Sequence, residues 1–490
     1  MTGGRATAAR LGAIFPFEES AAVVTGLAVA VAVLGAGAVI APVIVLAGVL
    51  GLVLVAVCLS NLAAGLAAFT VLTFLDRIPT LGTGITFVKL AGAVLAASWL
   101  LTVLQPGGDS KLLVRQHPAL TAVAFGLIVW TMASLLWAPD EAAAASVEFR
   151  LLQGMLLLFI AFSAIRERKH LNWVIGAFIA GATLSAVVGL AGYTSPDRPG
   201  VPPGGERLTG GIGDPNELAA ILVPALTFAA FALATVRSLL LRWALLASIV
   251  VGALALVRTE SRGGLLAMGV VFVAVLFLGG PVRARAVPLI LTSVCAGLAY
   301  YTLVAPPEAL ARVSEFRAGG GSGRTDLWTV ALEVFRDHPL GGVGIGNFQV
   351  VEPLYALRDV SISRADLIVG RTVVVHNTYL HILAELGLVG LVFFGALIIG
   401  AFGVGLRATR TLARSGDRDA EMLSRGLLIG TIGMFAAFFF ISAQYEKQLP
   451  LLLGVLAALS SVAAAARARP ERMPATVAEL PPLPPGHESA

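Results

Sequence analysis

Charge is scarce in this sequence. Only 13% of its 490 residues are Asp, Glu, Lys or Arg, about half of the ~25% usual in a soluble globular protein. Cysteine is scarcer still: Cys58 and Cys295 both fall inside apolar runs. That excludes a disulfide framework and any CxxC or His/Cys metal cluster, and both are expected as buried small residues. The N-terminal MTGGRATAARLGAIFPFEES lacks a short apolar region followed by a cleavage site. It reads as a cytoplasmic leader (1–20) before an uncleaved first span. Segments of about ten residues with alternating polarity are also missing, which argues against a membrane β-barrel. The net charge of +5 is spread over short loops and forms no basic stripe, so a nucleic-acid partner is not expected.

What the chain has instead is apolar sequence, 57% of its residues, with mean hydropathy +0.89. Its apolar runs reach the ~20 residues that a helical crossing needs. The expected fold is an all-α polytopic membrane protein. Fourteen spans can be drawn: 21–38, 40–58, 60–76, 84–105, 118–137, 150–165, 171–192, 216–236, 239–257, 264–279, 286–304, 377–403, 424–443 and 449–466. The near absence of loops in 21–76 widens the count to 12–14. Helices 1–11 fall in 21–304, a large loop in 305–375 and helices 12–14 in 376–466. A Pro-rich tail over 467–490 is expected to be a disordered cytoplasmic segment.

Basic residues sort the loops. RERKH (166–170), the Arg237–Arg242 turn, Arg283 and Arg285, the segment from Arg407 to Arg425 and the tail from Arg467 fall on one side if spans alternate. The positive-inside rule makes that side cytoplasmic, together with both termini. PDEAAAASVE (139–148) and AQYEKQ (443–448) then lie outside. Arg207, Arg258, Arg262 and the seven arginines of 305–375 break the rule on the outer side. Loop length excuses those of 305–375, but not those of the short 258–262 turn.

Within that outer loop, Leu327, Val330, Ala331, Val334 and Phe335 recur at helical spacing, predicting an amphipathic helix. Ser322 and Gly323 are positioned to cap it. His338-Pro339 and the glycines at 341, 342, 344 and 346 end it and allow a tight re-entrant path. GGVGIGNF is no dinucleotide fingerprint, because it lacks the strand and helix context.

Several residues could carry chemistry. Asp214, Pro215 and Glu217 form a capping-box-like helix start, which leaves Asn216 unused by the cap, and a Gly-rich stretch could deliver Arg207. Arg258 and Arg262 stand one turn apart if helical. Each either snorkels to headgroups or grips a diphosphate with its planar fork of donors. Arg324 opens the amphipathic helix, where amide N–H groups also favour an anion; a salt bridge to Asp326 or Glu315 is the plainer alternative. His376, with Asn377 beside it, is either interfacial or a base. His381 and Glu385 share a helix face, and a carboxylate within a span needs a partner or a role. Arginines for an oxyanion and a base at a lipid surface fit a diphosphate-linked lipid donor. The outer loop has no DxD carboxylate pair, so a reaction without a metal or other cofactor is expected.

The motifs RTDLW (324–328), HPLGGVGIGNF (338–348) and HNTYLHILAELGLVG (376–390), with TESRGG (259–264) and GDPNELA (213–219), resemble the O-antigen ligase / O-antigen polymerase superfamily. The resemblance covers roughly 205–400. It implies a GT-C-like glycosyltransferase of the bacterial cytoplasmic (inner) membrane, using an undecaprenyl-diphosphate-linked glycan and a glycan or lipid acceptor on the extracytoplasmic face. Other polysaccharide-assembly proteins are implied as further partners. It points to Arg262, Arg324 and His376 as the donor-phosphate and base residues. It leaves polymerase and ligase open, with the high span count leaning toward a polymerase. The competing expectation is a membrane transporter of a lipid-linked sugar or small anion, against which stand an almost uncharged midspan and no clear internal repeat.

Overall fold

A computed structural model describes residues 42–75, 86–105, 112–192, 207–306, 309–310, 324–358, 362 and 373–468. Helices make up the fold, and no strand occurs among these residues. In chain order they are α1 (Pro42–Ser60), α2 (Leu62–Leu72), α3 (Phe87–Leu104), α4 (Pro118–Ser134), α5 (Glu141–Ala164), α6 (Arg168–Leu190), α7 (Pro215–Leu233), α8 (Leu239–Arg258), α9 (Arg262–Leu278), α10 (Arg283–Leu303), α11 (Arg324–Asp337), α12 (Phe348–Arg358), α13 (Thr378–Arg414), α14 (Arg418–Ala437) and α15 (Gln448–Arg467). Among the described residues, nine helices are long and apolar enough to cross a membrane, and four more are apolar but shorter. The chain is an all-α polytopic membrane protein. The first expected span (21–38), the caps at Ser322 and Gly323, and the 467–490 tail beyond Ala468 lie outside the described residues.

Burial is uneven. Most of α7, α14 and α15 is enclosed by other helices, whereas α8 and α10 present Leu240, Trp243, Val250, Leu289 and Leu298 outward. In a membrane protein an apolar exterior is the lipid contact, so these two helices form the periphery. Cys295 belongs to this exposed face and only Cys58 is buried, which corrects the expectation for Cys295. The enclosed helices approach closely where residues are small. On α14, Gly426, Gly430 and Gly433 back onto Phe231, Phe228 and Val223 of α7, the packing expected without a hydrophobic drive between helices.

Two boundaries differ from the expected spans. α5 starts at Glu141, capped by Asp140 Oδ1 on the Ala143 amide at 2.9 Å, so the acidic segment is the first two turns of a helix and not a loop. α13 runs to Arg414. The stretch after Gly387, residues 388–414, is about 40 Å long at 1.5 Å per residue, beyond a ~30 Å hydrocarbon core. The arginines from 407 to 414 therefore ride on a helix that continues past the bilayer.

Residues 324–358 form a small unit with their own core. Leu327, Val330, Ala331 and Val334 of α11 are buried with Val343, Phe348, Val351 and Ala356, closing on Val375 and Ala384. The helical spacing of α11 is met, although Phe335 is only half-buried. This second core seats the loop on the start of α13.

Candidate active site

Four segments bring the sequence-derived residues to one end of the bundle. At the start of α7, Asp214 Oδ1 accepts from the amides of Asn216 (2.7 Å) and Glu217 (3.2 Å), an N-cap that satisfies two free donors. Asn216 is left for other work. Its Oδ1 accepts from Arg207 Nη2 at 2.8 Å and from Ser261 Oγ at 3.0 Å. Arg207 Nε in turn donates to the Thr259 carbonyl at 2.7 Å.

The turn between α8 and α9 is therefore tied to the start of α7. Arg258 ends α8 and Arg262 begins α9. They do not share a helix, because the chain turns through Glu260 at φ 48°. Ser261 Oγ caps α9 by accepting from the Gly264 amide at 3.2 Å. Arg262 is half-buried, while Arg258 is exposed.

α11 supplies the other wall. Arg324 is its first residue, and Trp328 one turn later donates Nε1 to the Val375 carbonyl at 3.2 Å. That bond pins the residue before His376. His376 itself has φ 54°. It and Glu260 are the two non-glycine residues in the left-handed region among the described residues. Such a conformation costs roughly 1–2 kcal/mol for an L-residue. It persists where surrounding contacts hold it, which is frequent at working sites.

Electrostatics couples the same residues. Burial lowers the Arg324 guanidinium from its ordinary value; Asp214 opposes this and Arg262 adds to it. His376 is lowered to about 4, first by burial and then by the Arg324 charge, with Asp214 opposing and His381 adding. A neutral imidazole thus faces the Arg324 cation and the Asp214 carboxylate, with Arg262 coupled to Arg324. Such a site can hold an anion and accept a proton.

Two expected binding residues have other occupations. Asn377 Oδ1 accepts from the amides of Tyr379 (3.0 Å) and Leu380 (3.1 Å), capping α13. Glu385 is buried, with Oε1 3.1 Å from His381 Nε2 and 3.3 Å from the Phe348 amide, and Oε2 accepting from Tyr445 at 2.8 Å. Both are structural: a cap satisfies open amides, and a buried carboxylate must be matched by donors.

Glu385 marks a junction. At Gly387, φ 65°, α13 loses helical geometry. The chain from Pro339 to Gly344 fills the break, with Val343 N donating to Ala384 O (3.0 Å), Gly344 N to Glu385 O (2.8 Å) and Leu388 N to Pro339 O (2.9 Å). A Cβ on Gly387 would stand 2.2 Å from the Leu340 carbonyl oxygen, and one on Gly342 2.3 Å from the Glu385 carbonyl carbon. The glycines serve backbone-on-backbone contact. Asn347 locks the far end, bonding the Asp140 amide (2.7 Å) and the Asp140 carbonyl (3.1 Å).

Sequence reasoning missed Ser261 and Trp328 as positioning residues, and the charge of Asp214 beyond its cap. The Arg324–Trp328 spacing of one helical turn was the available signal, placing both on the face toward His376.

Residues 245–395 match the family model described as O-antigen ligase. That stretch, about a third of the chain, is similar to the O-antigen ligase family and contains the motifs from Thr259 to Gly390 that resemble it in sequence. No curated protein matches the chain. The matched span includes Arg262, Arg324 and His376; Arg207, Asp214 and Asn216 complete the cluster from outside it. The match, together with the apolar helices, supports a membrane enzyme of the ligase/polymerase type.

Proposed function

We propose that this protein transfers a glycan from an undecaprenyl diphosphate carrier to an acceptor hydroxyl at the extracytoplasmic face of the bacterial inner membrane, as a GT-C-like glycosyltransferase. The observation that carries this reading is His376, held in a left-handed backbone, with the Arg324 and Asp214 charges acting on it and Arg262 coupled to Arg324. Arg324 and Arg262 grip the diphosphate, and Arg207 and Asn216 edge the same site. The acceptor oxygen bonds to the anomeric carbon as that carbon's bond to the diphosphate oxygen breaks. The electron pair leaves with the diphosphate, stabilised by the guanidinium groups, and the acceptor proton passes to His376.

Donor binding also tunes the base. The Arg324 cation helps to hold His376 down at about 4. A bound diphosphate neutralises it and raises the basicity of the imidazole, so proton transfer is favoured once the donor is in place. The transport reading requires the break in α13 to open onto a path; here the backbone of Pro339–Gly344 occupies it.

The test is the lipid-linked glycan in cells carrying only His376→Ala. Transfer is expected to fall about 10²–10⁴-fold, the range of a general base, with unchanged protein level. Accumulated single repeat units identify a polymerase, and long chains stranded on the lipid identify a ligase. Normal surface glycan with no accumulation would remove His376 from the mechanism.

A further inference from the structure

A concavity lies at the opposite end of α11 from Arg324. It is an open groove of about 560 Å³ lined by Trp137, His338, Pro339, Gly341, Val351 and Tyr355, among others. Arg324 and Asp337 are the two ends of this 14-residue helix, about 20 Å apart along the axis. The groove is thus apart from the arginine–histidine cluster but joined to it by one rigid element.

Its walls are built for a flat polyhydroxylated ring. Trp137 is 40% exposed. Its indole is backed by Gly341, where a Cβ would stand 3.3 Å from the ring, and flanked by Trp130 at 5.7 Å between centroids. Trp130 is fixed in turn by an Nε1 bond to the Leu386 carbonyl at 2.9 Å. This is a supported aromatic platform with an open side. A polar corner borders the groove beyond its lining residue Tyr355: the Tyr355 hydroxyl donates to Asp337 Oδ2 at 2.9 Å, and Arg358 lies 3.6 Å from the same carboxylate and over the Tyr355 ring at 5.0 Å. The carboxylate and guanidinium are both more than half exposed. The pyranose ring has an apolar C–H face and a rim of hydroxyls. An aromatic plate suits the face, and an ionised acceptor beside a planar donor suits the rim.

We propose that this groove binds an oligosaccharide segment of the glycan substrate, several sugars removed from the bond being made, with Trp137 as stacking platform and Asp337 as hydroxyl acceptor. The assignment of the glycan as substrate rests on the transferase reading above. The groove would then set the register of a chain held at both ends of α11. Nothing in this role requires Trp137 or Asp337 to touch the reacting atoms.

Binding is measured by calorimetry on the detergent-solubilised full chain, with short oligosaccharides released by mild acid from the producing cell's own surface polysaccharide. Wild type and Arg324→Ala are expected to bind equally. Trp137→Ala is expected to weaken binding at least ten-fold, Trp137→Tyr to restore it to within about three-fold, and the exposed Asp337→Ala to weaken it several-fold without affecting folding. Equal binding by wild type, Trp137→Ala and Asp337→Ala, or no binding by wild type, overturns the proposal. So does Trp137-dependent binding to phosphatidylglycerol vesicles without oligosaccharide binding, which would make the groove a lipid seat next to the exposed Leu136 and Leu340. The enzyme reading fails separately, through normal surface glycan in His376→Ala cells.

Discussion

Glu352 is the residue least at ease with its surroundings. It is fully buried in the core under α11 and α12; Oε1 accepts from the Val373 amide at 3.2 Å, and Oε2 has no partner among the described residues. Burial pushes its carboxyl up to about 8, with the Val373 bond pulling the other way. In the unfolded chain the same group releases its proton near 4.5. Between these values the unfolded state has lost a proton that the folded state keeps, so the group makes stability fall as pH rises from about 4.5 to about 8. Glu352→Gln removes the ionisation. Thermal unfolding in detergent should show the variant and wild type close at pH 5, with the variant ahead by roughly 2–4 kcal/mol at pH 8, given ~1.4 kcal/mol per pH unit. A difference that does not change with pH would refute the assignment. Glu352 escaped the sequence reading because a glutamate on a short loop helix looks like any solvated charge. Arg262 and Arg324 stood out in the sequence because arginines on a side that topology leaves poor in them need a separate reason, and His376 because it closes the same arginine-rich loop. The part that was not legible is pairwise: Asn216 reads as the residue a cap leaves over, and only folding shows it held by Arg207 and Ser261.

Helix positions were largely readable from apolar length, and α11 from its spacing. The break in α13 was not, because HNTYLHILAELGLVG reads as uninterrupted helix and Gly387 as a packing residue. The glycine run and Gly387 lie some forty residues apart, and their mutual need appears only when their backbones meet. That meeting gives a prediction at this scale. Gly387→Ala places a Cβ 2.2 Å from the Leu340 carbonyl oxygen in a left-handed backbone at φ 65°. Neither partner is a flexible side-chain tip, so the loop must detach or the helix must straighten. Straightening would strand the bonds from Val343 and Gly344 to Ala384 and Glu385, and with them the seat of the second core. The expected loss is roughly 2–4 kcal/mol from strain and broken bonds together, read as lower detergent thermostability and lower transfer. Gly395→Ala, on the same helix with nothing within 4 Å of its added Cβ, should be near wild type in both. Equal stability of the two variants would show that the break does not depend on glycine.

The whole molecule has two chemically distinct ends, and hydrogen bonds define them without reference to a membrane. At one end Arg168 bonds Asp417 at 2.9 Å, Arg166 bonds Ser461 at 3.4 Å, Arg425 bonds the Leu278 carbonyl at 2.6 Å and Arg467 bonds Thr411 at 3.1 Å. At the other end stand the Arg207–Asn216–Ser261 cluster, His376 and the loop unit seated on α13. The first end gathers basic residues from several short connections, the pattern that faces the cytoplasm. The second also carries arginines, but Arg207, Arg262 and Arg324 gather in one cluster with Asp214 and Asn216, and a rule about dispersed loop charges does not govern them. A diphosphate-linked donor with its tail in the bilayer reaches that site only if the second end faces outward. Single cysteines decide the matter. In a background with Cys58→Ser and Cys295→Ser, Leu357→Cys on α12 and Ser415→Cys after α13 both replace exposed residues. A membrane-impermeant maleimide applied to intact spheroplasts should modify Leu357→Cys readily and Ser415→Cys only after permeabilisation. The reverse pattern would turn the arginine–histidine cluster toward the cytoplasm, where an acceptor displayed on the cell surface could not meet it, and the proposed transfer would fail on geometry alone.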